Sequence, residues 1–205
     1  LVMNAGANYL LAQSLHEEIK KLTTQPVRYV VLENAQPHAI MGAGYWKAQG
    51  ATIIAHKDAA HVIRQDGDKL LEATRARLRD KTFKTEVVMP DKVFEDKLDL
   101  KLGSWKFEVL HLGPAHSPGD IMVWMPEKKL VISGDMAFHE RMLPLFDDTN
   151  SAAWVATWDR FEALGAQTII PGHGGPTTID VVRKYTRDYL VYLRAKIAEV
   201  LKNGG

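Results

Sequence analysis

The chain has 205 residues, 46% hydrophobic and 25% charged, which is ordinary for a globular protein and enough for one substantial core. Lys+Arg 26 against Asp+Glu 25 leaves a net charge of +1, so nothing argues for a nucleic-acid or membrane partner. The absence of cysteine excludes disulfides, thiolate ligands and a cysteine nucleophile together, so any metal must be held by His, carboxylate or amide.

In chain order, "LVMNAG" reads as the end of a strand already under way, running into a glycine turn. "NYLLAQSLHEEIKKLT" has apolar residues at helical spacing, with Lys20 and Lys21 in the last turn where they suit the helix dipole. "VRYVVLE" is a buried-type strand, "GAGYWKAQG" a short helix closed by Gly50, and "ATIIAH" the next strand. Residues 58–80 form a polar helix with an expected break at "QDGD". "TEVVM", "LDLKLG", "WKFEVLHL", "DIMVWMP" and "KLVISGD" are short strands between turn signals. "SAAWVATWDRFEALG" is a helix capped by Ser151 and ended by Gly165. A strand and loop, "AQTIIPGHGG", precede the long amphipathic helix "TIDVVRKYTRDYLVYLRAKIAEVLKN". No repeat or linker interrupts the pattern. Helices at both ends with a strand-rich centre predict a layered α/β fold, a single domain over residues 1–205.

Three loops share one layout: an apolar strand ends and a glycine-bracketed turn presents one His or Asp. They are "VLHLGPAHSPGD" with His116, "KLVISGDMAF" with Asp135 and "TIIPGHGGPT" with His173. Imidazole and carboxylate without thiolate suit zinc, iron or manganese. Taken singly, each has a plainer reading as a surface-loop residue, turn former or helix cap. The threefold recurrence favours a metal site.

In that order the motifs resemble those of the metallo-β-lactamase-fold superfamily. "GPAHSPGD" is similar to its "GHTPG", "ISGD" to its "SGD" and "IIPGHG" to its "PGHG"; "LVMNAG" resembles its early "vlIDtG" strand, with Asn4 where Asp is usual. The resemblance implies a metallo-β-lactamase αβ/βα four-layer sandwich whose first strands precede Leu1. Residues 111–173 look closest to members associated with bacterial sulfur oxidation or quinoprotein systems. "ENAQPHAIMG" falls where the family reads "THxHxDHxGG". That alignment puts Asn34 and Gln36 at the first two His positions, His38 at the Asp and Ala39 at the last His. The implied ligand set is therefore depleted to His116, Asp135, His173 and His38, a plausible set for a single zinc, iron or manganese ion. His38 and Asp135 are the implied catalytic pair. Asn34, Gln36, His139 and Arg141 are candidate substrate contacts, the last two with a solvated loop as the plainer reading.

Two functions follow from the resemblance. One is a hydrolase whose single metal activates water against an ester, thioester, lactone or related bond of a small molecule. The alternative is a metal-free, non-catalytic member that binds a small molecule or a protein. A soluble protein of cytoplasm or periplasm is expected; the oligomeric state is left open. His56 reads as a packing or hydrogen-bonding residue, His111 as part of a strand with one core face, and His16 and His61 as faces of surface helices. Tyr45, Trp46, Trp154 and Trp158 read as core.

Overall fold

In the computed structural model, which describes residues 1–204, the apolar runs of the first half become parallel strands. They are β1 (Val2–Met3), β2 (Tyr29–Val31), β3 (Thr52–His56) and β4 (Lys92–Phe94), hydrogen-bonded in that order with Val30 opposite Ile53. Val30, Val31, Ile53 and Ile54 are wholly buried, which is why these strands are continuous apolar runs with no polar alternation. The connecting helices are α1 (Tyr9–Leu22), α2 (Pro37–Ile40), α3 (Ala43–Ala48) and α4 (Lys57–Leu78). Together they form one compact unit, Leu1–Glu95, with its own core around Trp46, Leu32 and Ile53.

Three expectations are corrected in this unit. Residues 85–89 are not a strand: Pro90 has no N–H for a ladder, and pairing begins at Asp91, whose amide donates to the Ile53 carbonyl at 2.9 Å. Helix α4 runs unbroken through "QDGD", because Gly67 serves close packing there; a Cβ on it would stand 2.8 Å from Val87 Cγ1. His16 is not a surface residue. It is 8% exposed, with Nδ1 2.8 Å from the Tyr45 hydroxyl; burial lowers the imidazole's pKa, and burial also raises that of the tyrosine.

A second compact unit begins at Asp96 and holds the other sheet. Its strands are β5 (Lys97–Leu102), β6 (Trp105–Leu110), β7 (Met122–Met125), β8 (Leu130–Phe138) and β9 (Thr168–His173), in that order. Pairing is antiparallel up to β8 and parallel between β8 and β9. Helices α5 (Ser151–Glu162), α6 (Ile179–Arg183) and α7 (Tyr189–Lys202) complete the unit, and Trp154, Trp158, Phe161 and Phe138 fill its core. Each such aromatic contributes on the order of 2–3 kcal/mol by leaving water.

The cap of α5 is Asn150, one residue before the expected Ser151; its Oδ1 accepts from the amides of Ala152 at 3.1 Å and Ala153 at 3.0 Å. The long C-terminal helix is interrupted by a π-helical turn, Lys184–Asp188. Its wholly buried Thr186 explains the irregularity. The hydroxyl oxygen accepts the Phe138 amide at 2.8 Å and donates to the Phe138 carbonyl at 3.1 Å, stitching the turn to the end of β8. Among the described residues no helix is long and apolar enough to cross a membrane.

Candidate functional site

The site of the second unit lies where β8 and β9 end. Regular pairing between them breaks on both sides of Gly134, which has φ +54, and resumes only at Phe138 opposite His173. Such an irregularity turns side chains that would otherwise follow the pleat. Asp135 emerges from it 2% exposed. Gly172, on the neighbouring strand, admits no other residue: a Cβ would lie 2.4 Å from Asp135 Oδ1 and 2.7 Å from the Gly134 carbonyl carbon.

His116 comes from the loop after β6. The Ser117 amide and hydroxyl donate to Asp120 at 2.6 and 2.8 Å, closing the "HSPGD" turn. Thr149 and Thr157 donate to the carbonyls of His116 and Pro114, both at 2.7 Å, and Arg160 donates to that of Leu112. The imidazole, 1% exposed, is boxed by Phe138, Phe146 and Trp154 with ring centroids 5.2–5.7 Å away. This packing holds the ring's orientation.

His116 Nδ1 stands 3.6 Å from Asp135 Oδ2, and His173 Nε2 stands 3.5 Å from Asp135 Oδ1. These separations exceed a good hydrogen bond. The two imidazoles face different oxygens of the one carboxylate, a donor set of the kind that holds zinc. The donor types agree, and one buried carboxylate supplies the negative charge that a cation requires. Asp135 therefore has His116 on one side and His173 on the other, three of the four ligands expected from the sequence; the fourth, His38, belongs to the first unit. Arg141 joins them: its Nη1 lies 3.1 Å from Nδ1 and 3.2 Å from Nε2 of His173. His139, 15% exposed, stacks edge-on to Tyr185 at 5.8 Å.

In the first unit the structure adds a residue that sequence reasoning passed over. Glu33, two residues past β2, is 1% exposed. Its Oε1 accepts from Asn4 Nδ2 at 2.7 Å, Asn4 Oδ1 accepts the Glu33 amide at 3.1 Å, and His38 Nε2 lies 2.6 Å from the same Oε1. Asn4 reaches this position from φ +65, a left-handed conformation that Asn tolerates better than most residues. The Ala39 carbonyl accepts the Ala5 amide at 2.8 Å, pinning the loop that carries His38. The signal was present in "VVLEN": an acidic residue just past a buried strand. Asn34 is wholly buried and its Oδ1 accepts the Gln36 amide at 2.9 Å, so it shapes the turn, while Ala39 offers no donor atom. His56, 1% exposed, caps α4 by accepting the Asp58 amide, and His111 lies just past β6 with Nε2 3.0 Å from the Pro118 carbonyl.

Comparison with known proteins bears on the family and the fold. The family described as the metallo-beta-lactamase superfamily matches residues 40–173. A linear primary-alkylsulfatase from a Pseudomonas species is 26% identical over 128 residues, covering 57% of this chain and 24% of the relative. A type 2 metallo-beta-lactamase from Bacteroides fragilis is 26% identical over 158 residues, 74% of this chain and 56% of the relative. An acyl-coenzyme A thioesterase from Bos taurus is 26% identical over 133 residues, 58% and 47%. The chain thus spans between about a quarter and about half of the length of these relatives. Among solved structures, a metallo-beta-lactamase from Pontibacter korlensis superposes with TM-score 0.76 at 18% identity, covering 91% of this chain and 80% of that one. The DIM-1 metallo-beta-lactamase exposed to ceftazidime gives 0.74 at 16%, covering 93% and 79%. At such identities the likeness shows the fold: mixed α/β with two sheets, as in these neighbours.

Proposed function

This chain belongs to the metallo-β-lactamase superfamily, and from that premise we propose that it is a metal-dependent hydrolase holding one ion at His116, Asp135 and His173. The observation that carries the reading is the buried Asp135 carboxylate with an imidazole nitrogen 3.5–3.6 Å from each of its oxygens. A single ion is favoured over two because the family's other donor positions here hold Asn34, Gln36 and Ala39, two neutral amides and a methyl group. When bound, such a metal polarises a carbonyl and lowers the pKa of water from ~15.7 toward ~7.

The chain's own residues supply the rest. Asp135 provides compensating negative charge, and the aromatic box keeps His116 from swinging away. Glu33 accepts the Nε2 proton of His38, which leaves Nδ1 as the acceptor; the ring, 36% exposed, presents that nitrogen for proton transfer. Arg141 and His139 line the approach from the loop after β8 and contact substrate. Esters, thioesters and lactones suit this chemistry, and the thioesterase among the relatives supports that range.

One observation favours a metal-free binding module instead. The Arg141 guanidinium sits against His173, where a cation already neighbours the ring. Elemental mass spectrometry on protein purified without chelator or nickel resin separates the two readings, with His116→Ala as control. About one zinc, iron or manganese per chain, lost in the control, supports the hydrolase and justifies an ester and thioester screen. No metal in either sample after incubation with zinc overturns it.

A further inference from the structure

Beside this site, wholly within the second unit, lies a cavity of about 490 Å³ lined by Glu140, Arg141, Met142, Lys184, Tyr185 and Tyr189. That volume is in the range of small-molecule sites. Its two walls are the loop after β8 and the π-helical turn, and the Thr186 hydrogen bonds to both backbone groups of Phe138 lock one to the other. π-Turns concentrate at functional positions, because the extra residue costs helix stability and persists where it places side chains.

The chemistry of the lining is specific. Among the described residues neither Arg141 nor Lys184 has a carboxylate partner within ion-pair distance. The one acidic lining residue, Glu140, is directed elsewhere: its Oε2 accepts the Gly175 amide at 3.3 Å and lies 3.8 Å from His139 Nε2. The cavity therefore carries a net charge of +1 from two cations and one carboxylate. The remaining wall is apolar or aromatic, with Met142 76% and Tyr185 43% exposed, which is a high exposure for side chains of that size.

We infer that this cavity binds an organic oxyanion: a carboxylate or sulfate head held by Arg141 and Lys184, on an aliphatic chain laid against Met142, Tyr185 and Tyr189. An arginine fork and a lysine are the complement of such a head group. The apolar wall gains from removing an alkyl chain from water. Arg141 touches both the cavity and His173, so the bound anion marks the end of the substrate that does not react. In this respect alone the inference rests on the hydrolase reading.

The test is isothermal titration of metal-stripped full chain with octanoate, octyl sulfate, 1-octanol and octyltrimethylammonium. At least one anion is expected to bind 1:1 and about tenfold or more tighter than octanol, and the tighter anion names the head group. The cation should not bind. Lys184→Gln and Arg141→Gln should each weaken the anion about tenfold, the scale of one charge-assisted hydrogen bond, and leave octanol unchanged. Melting temperatures close to wild type show that both variants fold. Equal affinity for octanol and the anions, binding of the cation, or anion affinity unmoved in both variants overturns the inference. Since the protein is stripped of metal, this result is independent of the metal analysis, and either reading can fail alone.

Discussion

The two units each hold a buried carboxylate beside histidine, one just past β2 and one within β8, and they treat it differently. Glu33 is clasped: Asn4 lies at 2.7 Å and His38 at 2.6 Å from one oxygen. Asp135 is spaced: each oxygen faces an imidazole nitrogen at 3.5 or 3.6 Å. The first geometry satisfies charge by short hydrogen bonds and fixes a tautomer. The second places a different imidazole beyond each oxygen. Residue type alone would have assigned both the same role; distance separates a hydrogen-bonded pair from a wider-spaced set.

The strongest way to break this comparison is to remove the charge of the spaced carboxylate. Asp135→Asn keeps the shape and should abolish metal retention, with hydrolysis falling by more than the roughly 10–100-fold that loss of a supporting residue costs. Metal content and rate measured on one preparation decide it; retained metal would show that Asp135 is not a ligand. Next comes Gly172→Ala, which drives a methyl group into Asp135 and the Gly134 backbone. A loss of about 3 kcal/mol is expected in urea unfolding, with metal affinity falling in parallel.

For the clasped carboxylate, Glu33→Gln should slow turnover about 10–100-fold while metal content stays unchanged. Loss of the metal as well would overturn the assignment of the ion to His116, Asp135 and His173. The smallest effect separates the units by pH. Burial lowers the pKa of His16, so the folded state prefers the neutral ring and the unfolded chain binds more protons below its ordinary value of 6.5. That contribution is present above 6.5 and is lost as pH falls below it. The urea midpoint should drop between pH 7.5 and 5.5 by an amount worth less than about 1 kcal/mol, and His16→Gln should flatten the change.

The residues that form the spaced site were legible in the sequence because each sits alone in a glycine-bracketed loop after an apolar strand, and "GPAHSPGD", "ISGD" and "IIPGHG" each present one. Glu33 escaped notice because it lies just past a strand, where a polar side chain usually just marks the exit to solvent. Only the pairing with Asn4, twenty-nine positions earlier, shows that it is buried and in use. His16 was misjudged for a related reason: helical periodicity gives a face, and the partner that buries it, Tyr45, arrives from another helix. At Gly67 the error ran the other way. A glycine read as a break is a contact, since the chain segment it admits is distant in sequence.

The π-turn at Lys184–Asp188 has a geometric consequence for the C-terminal helix. Each residue of an α-helix advances the side-chain direction by about 100°, so one extra residue resets the angular phase of everything after it. Leu190, wholly buried, lies just after that reset. Deleting any one residue from the turn would restore regular winding and rotate Leu190 out of the core. This stretch should therefore accept substitutions that keep Thr186 and reject every single-residue change of length.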